Sequence, residues 1–191
     1  IATIAMAEAV AMTGDRRYRN SVRKAQQYIV AAQHPAGGWR YMPQQPGDIL
    51  VTAWQVMALK SCQQAGVDTE PEVLEKTGEF IESLGVSGNA YYRYQRRGEP
   101  TAVCTATGLL MQMYLGWDRT HPAIERGSGY VLETAPSDSD VYLNYYASLL
   151  LHHAQTDQWK AFNRLVRDHL VDTQFKKGHE AGSWSFPDRY G

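Results

Sequence analysis

The chain has 191 residues, 43% of them hydrophobic, with 19 Lys and Arg against 20 Asp and Glu and a formal charge of -1. That length suffices for one domain with a core. The charge balance argues against nucleic acid and anionic membrane surfaces, which call for a strong basic excess. No apolar run approaches the roughly eighteen uncharged residues of a membrane span.

Taken in order, two kinds of helical segment alternate. Residues 1–13 open with an apolar stretch, and 16–33 are one-sided, with Val22, Ala25, Ile29 and Ala32 on a stripe opposite charges. Residues 48–65, around Trp54, Val56 and Leu59, are apolar on nearly every face. Residues 70–84 return to one-sided spacing, with Val73, Thr77, Phe80, Ile81 and Leu84. The pattern repeats with 100–115 apolar all round and 121–134 weakly amphipathic, then with 140–154 and 158–173. A helix apolar all round is buried on all sides and a one-sided helix lies at the surface. The chain therefore reads as an all-α, two-layered α/α array of about four helix pairs, inner apolar helices shielded by outer amphipathic ones.

Start signals fall at the segment boundaries. Asp15, Asp48, Thr120 and Asp157 stand where N-caps belong, and Thr69-x-x-Glu72 with Pro71 inside it reads as a capping box. No strand pattern is evident. Cys62 and Cys104 each lie inside an apolar helical run and read as buried free thiols, which favours a reducing, cytoplasmic compartment. The chain opens at Ile1 and stops at Gly191 without a helix-ending signal, so residues 1–191 are expected to be one repeat domain cut from a longer protein.

One motif recurs. Tyr28-Ile29 is followed by Gln33, Gly37 and Trp39, and His169-Leu170 by Gln174, Gly182 and Trp184. Degenerate copies lie between, at Phe80-Ile81 with Gly88 and Tyr91, and at Tyr130-Val131 without the Gly-x-Trp end. The spacing of roughly fifty and then forty residues is that of stacked helix pairs. Gln at a helix end can satisfy orphan backbone groups, Gly can turn the chain and Trp can cover the joint.

The Gln-x-x-x-Gly-x-Trp ending resembles the QW motif of the terpenoid cyclase and protein prenyltransferase superfamily, including the squalene–hopene and oxidosqualene cyclases. The resemblance implies an α/α toroid, or an open arc of it, in which Gln33, Gly37, Trp39, Gln174, Gly182 and Trp184 are structural. It further implies an apolar or isoprenoid ligand held against a concave, aromatic-lined surface. Trp54, Tyr114, Tyr142, Tyr145 and Tyr146 are the candidates for that lining, and they could also be core filler.

Catalytic motifs of the family are incomplete. The acid motif Asp-x-Asp-Asp is approached by Asp138-Ser139-Asp140, which ends in Val141, so Asp138 and Asp140 are candidate acids or ordinary caps. The Asp-Cys-Thr-Ala of oxidosqualene cyclases is approached by Cys104-Thr105-Ala106, with Val103 in the acid's place. Neither Cys62 nor Cys104 has the Asp partner of a prenyltransferase zinc site, and His34, His121, His152, His153, His169 and His179 show no ligand spacing. No metal and no cofactor are expected. Partners would be an apolar small molecule or another part of the full-length protein. Two other readings stay open: a non-catalytic interaction scaffold, and a polysaccharide lyase-like barrel using Asp48, Glu99, Arg93, Arg96 and Arg97 beside Tyr91, Tyr92, Tyr94 and Trp39.

Overall fold

The computed structural model describes residues 1–185. Eight α-helices account for most of them: α1 (Ala2–Thr13), α2 (Arg19–Ala31), α3 (Ile49–Gln64), α4 (Pro71–Glu82), α5 (Ala102–Tyr114), α6 (Pro122–Leu132), α7 (Val141–Ala154) and α8 (Trp159–Thr173). A short 3-10 turn, Arg16–Tyr18, precedes α2. The odd-numbered helices form one layer, each packed on the next in the order α1, α3, α5, α7. The even-numbered helices pack on that layer as an outer shell. Burial raises the Tyr145 phenol on α7, and the Glu8 carboxylate of α1 adds to the shift.

Burial divides the layers as the apolar patterning requires. Nine residues of α5, eight of α3 and six of α7 are buried, against three each in α2 and α4 and two in α8; outer helix α6 is the exception, with five of its eleven residues buried. The ends of the row are thinner, and α1 buries only Ala7 and Val10 because one flank has no neighbouring helix among the described residues. The main core centres on α5, with Leu109, Leu110 and Met111 fully enclosed between α3, α4, α6 and α7.

Four local expectations are corrected. A two-stranded antiparallel hairpin is present, β1 (Gly85–Val86) with β2 (Tyr91–Tyr92), pairing Gly85 with Tyr92 and Val86 with Tyr91. Strands of two residues are too short for alternation to register. Thr69 does not cap α4: its hydroxyl accepts from the Gln26 amide at 3.3 Å, and Glu70 takes the cap position without a side-chain bond. His121, not Thr120, caps α6 through Nδ1 to the Ala123 N–H. At α8, Gln158 rather than Asp157 occupies the cap position and makes no capping bond. Asp15 and Asp48 behave as expected, accepting from the N–H groups of Arg17 and Val51.

Candidate functional site

Three inner helices, α3, α5 and α7, begin at joints that are built alike. Asp48 caps α3, and four residues on Thr52 accepts from the Trp39 N–H at 3.1 Å, while the Trp39 carbonyl accepts from the Asp48 N–H at 3.1 Å. Thr101 caps α5, Thr105 accepts from the Tyr92 N–H at 3.0 Å, and the Tyr92 carbonyl accepts from the Thr101 N–H at 3.1 Å. Asp140 caps α7, and Asn144 grips both backbone groups of Ser137, at 2.8 and 2.7 Å. A polar side chain four residues after the cap therefore pins the incoming strand of chain in all three. Tyr92, not Tyr91, is the counterpart of Trp39. Both rings are buried, and Gly108 makes room for Tyr92, since a Cβ there would lie 2.5 Å from its ring.

The recurring Gln and Trp make the same bonds in both copies. Trp39 Nε1 donates to the Ile29 carbonyl at 2.7 Å, and Trp184 Nε1 to the Leu170 carbonyl at 2.6 Å, each the end of the preceding outer helix. Gln33 Nε2 donates to the Gly37 carbonyl at 3.0 Å, and Gln174 Nε2 to the Gly182 carbonyl at 2.9 Å. Gly37 and Gly182 both hold positive φ, 94° and 89°, as the turn requires. Four extra residues between Gln174 and Gly182 are absorbed in the loop without altering these bonds.

Because three joints lie side by side, three caps converge. Asp48, Thr101 and Asp140 face one groove of about 660 Å³ at the N-terminal ends of α3, α5 and α7. Its apolar wall is Leu50, Val51, Trp54 and Val103, and its aromatic rim is Tyr41, Tyr94 and Tyr142. This volume falls in the usual range for small-molecule sites.

The sequence candidates separate within this geometry. Trp54 and Tyr142 line the groove. Tyr145 stacks on Trp54 with centroids 6.1 Å apart and supports it. Tyr146 is fully enclosed in the core. Tyr114 lies at the other end of α5, its hydroxyl 3.1 Å from His153 Nε2. Of the two acids, Asp140 faces the groove and accepts from the Leu143 N–H at 2.8 Å. Asp138 has a side chain 94% exposed, 3.5 Å from His169 Nδ1, and does not join the groove lining. Among the loop arginines, Arg93 donates to the Leu84 carbonyl and Arg96 to the Ser83 hydroxyl, so both brace the chain around the hairpin.

Asp48 is the groove residue that sequence reasoning undervalued. Its side chain is fully buried, and Oδ1 is used as the cap. The Arg40 guanidinium is nearest in charge, with Nε at 3.9 Å. Burial, followed by the Asp48 charge and a side-chain hydrogen bond to Asp48, pushes the Tyr94 phenol up to about 12. Cys104 is pushed up to about 11, first by burial; Thr101 opposes the shift, and Asp48 and Asp140 add to it. A thiol so placed is a poor nucleophile and a poor metal ligand near neutral pH. A fully buried carboxylate beside Tyr94 and Arg40 is visible only once the chain is folded.

Residues 2–93 match the squalene-hopene cyclase N-terminal domain family. The match takes in α1 to α4, the Gln33–Trp39 joint and the hairpin, and it supports the squalene cyclase-like resemblance drawn from the QW motif. Helices α5 to α8 lie beyond it and repeat the same inner–outer alternation. No curated protein matches the chain. No helix among the described residues is long and apolar enough to cross a membrane.

Proposed function

We propose that this cyclase-like repeat domain holds an apolar, isoprenoid-type ligand in the groove where α3, α5 and α7 begin, without transforming it alone. The groove itself carries the reading. It combines an apolar wall, an aromatic rim and few polar groups, the composition that buries a hydrocarbon while fixing one end. Trp54 is its largest apolar surface and is braced from behind by Tyr145.

Absence of turnover follows from the chemistry of alkenes. A carbon–carbon double bond is a weak base, so protonating it demands a strong acid whose conjugate base is stabilised by neighbours. Val103 and Val141 stand where the related acid motifs place carboxylates, and Asp140 is engaged as a helix cap.

The test is calorimetric titration with squalene and shorter linear polyprenes, alongside product analysis after prolonged incubation. Saturable binding is expected, weakened roughly tenfold or more in Trp54→Ala, as for a central aromatic anchor. Binding unchanged by Trp54→Ala would move the ligand elsewhere. Cyclised product that disappears in Asp140→Asn would overturn the non-catalytic reading.

A further inference from the structure

We infer that the two ends of this array are the two halves of one interface: a second copy docks its α1–α2 end on the α7–α8 end, and copies associate head to tail. This does not depend on the groove being a ligand site. Its ground is a contact that recurs within the chain. Each later outer helix lies over the joint before it, through the ring that precedes Ile81, Val131 or Leu170. On α4, Phe80 covers the Gln33–Trp39 joint so closely that a Cβ on Gly38 would lie 2.7 Å from its ring. On α6, Tyr130 meets Tyr91 edge to face at 5.1 Å, and its hydroxyl donates to the Pro100 carbonyl at 3.3 Å. On α8, His169 holds the same place, with Nδ1 3.5 Å from Asp138 Oδ1 in the joint before α7.

Two members of the series are unmatched. Tyr28, before Ile29 on α2, has no joint beneath it among the described residues and is 64% exposed. The Gln174–Trp184 joint has no outer helix over it among the described residues, and Val171 beside it is 59% exposed. Val171 is the counterpart of Val30, which is half-buried in one apolar cluster with Val73 and Leu74 of α4. The inner layer has the same gap, since α1 is apolar all round yet leaves Met12 exposed. A terminal repeat that faces water carries a polar outer face. Both ends here keep apolar contact residues instead, and burying them is favourable. One end carries the ring without a joint, and the other carries the joint without a ring. Ser183 stands where Gly38 makes room for Phe80, so the incoming Tyr28 lies edge-on, as Tyr130 does on Tyr91. The two surfaces differ, so the association is heterologous and adds copies end to end instead of closing as a two-fold pair.

The experiment is sedimentation velocity of the full chain from about 1 µM to about 1 mM, the span of moderate to weak affinities. The average mass should rise with concentration and pass that of two copies. Tyr28→Glu blocks the head and Val171→Glu blocks the tail, both at exposed helix positions. Each variant alone should stay a single copy, its self-association weakened at least about thirtyfold, as for the loss of an interface anchor. Mixed in equal amounts, the two should restore one contact, between the tail of Tyr28→Glu and the head of Val171→Glu, and stop at two copies. A two-fold pair cannot give that result, because each variant would carry its defect into every contact. If either variant does not fold, the concentration series on the unaltered chain together with the remaining variant still decides. Single copies throughout the range would overturn the inference and leave both ends to helices of a different chain. A mass unchanged by the substitutions, or a mixture that fails to associate, would overturn it as well.

Discussion

The joints at Gln33–Trp39 and Gln174–Trp184 use the same bonds in different surroundings. In the first, the Gln33 amide also reaches the next outer helix, donating to the Val73 carbonyl and the Thr77 hydroxyl of α4, each at 3.0 Å. In the second, the bond to Gly182 is the one Gln174 side-chain hydrogen bond among the described residues. Trp39 is 3% exposed and Trp184 41%. A Cβ on Gly37 would lie 2.0 Å from the Lys76 carbonyl oxygen, whereas a Cβ on Gly182 would meet nothing within 4 Å. The motif therefore closes its own loop wherever it occurs. It becomes a clamp between successive outer helices only where another helix lies against it.

Substitutions at paired positions can break that distinction. Trp39→Ala should cost about 4 kcal/mol, the usual loss for a buried aromatic, and Trp184→Ala no more than about 2 because much of its surface stays wet. Thermal or urea unfolding measures both, and equal losses would mean that the two tryptophans carry the same load. Gly37→Ala combines an unfavourable φ with a steric clash and should cost about 3 kcal/mol or more. Gly182→Ala suffers from φ alone, about 1 kcal/mol. Gln33→Ala strands the Gly37 carbonyl, while the Thr77 hydroxyl keeps its own bond to the Val73 carbonyl, for a loss of about 1 kcal/mol. Gln174→Ala should fall within about 0.5 kcal/mol of the unaltered protein, as a partly exposed loop contact.

The smallest effect is chemical. Burial pushes both thiols, Cys62 and Cys104, up to about 11, so each holds its proton at pH 8. Alkylation of the folded protein at that pH should be far slower than that of a free cysteine. Labelling should accelerate only as pH approaches 11 or when the chain unfolds. Rapid labelling of Cys104 at neutral pH would show that the groove opens more widely than its described shape.

Layering was legible because helical periodicity and all-round apolarity act over ten or more residues. The N-caps at 48 and 140 were readable for the same reason that the one at 69 misled. Short polar side chains next to helices usually bond the nearest N–H, but Gln26, distant in sequence, claims Thr69. Tyr91 and Tyr92 differ by one position in extended chain, which puts their rings on opposite faces. Only the bond from Tyr92 to Thr105 fixes which ring turns inward. The groove was half visible. Trp54, Tyr142 and Asp140 stood out by composition, yet Tyr146 follows Tyr145 by one helical step and so points into the core. Asp48 looked like a cap because it is one. Its place on the groove becomes visible only when three helix starts meet, and no linear pattern encodes that meeting.

The latch four residues after the caps of α3, α5 and α7 has a kinetic meaning. Thr52 and Thr105 reach back thirteen residues and Asn144 only seven, so every joint closes within its own stretch of chain. Contacts this local carry little loop-closure entropy and form early and independently. Coupling between successive units then falls to the helix faces and to bridges such as Gln33 to α4, as in a one-dimensional chain of neighbours. Amide exchange should reflect that: slowest in α5, which has partners on every side, and progressively faster toward α1 and α8, where opening one unit disturbs a single neighbour.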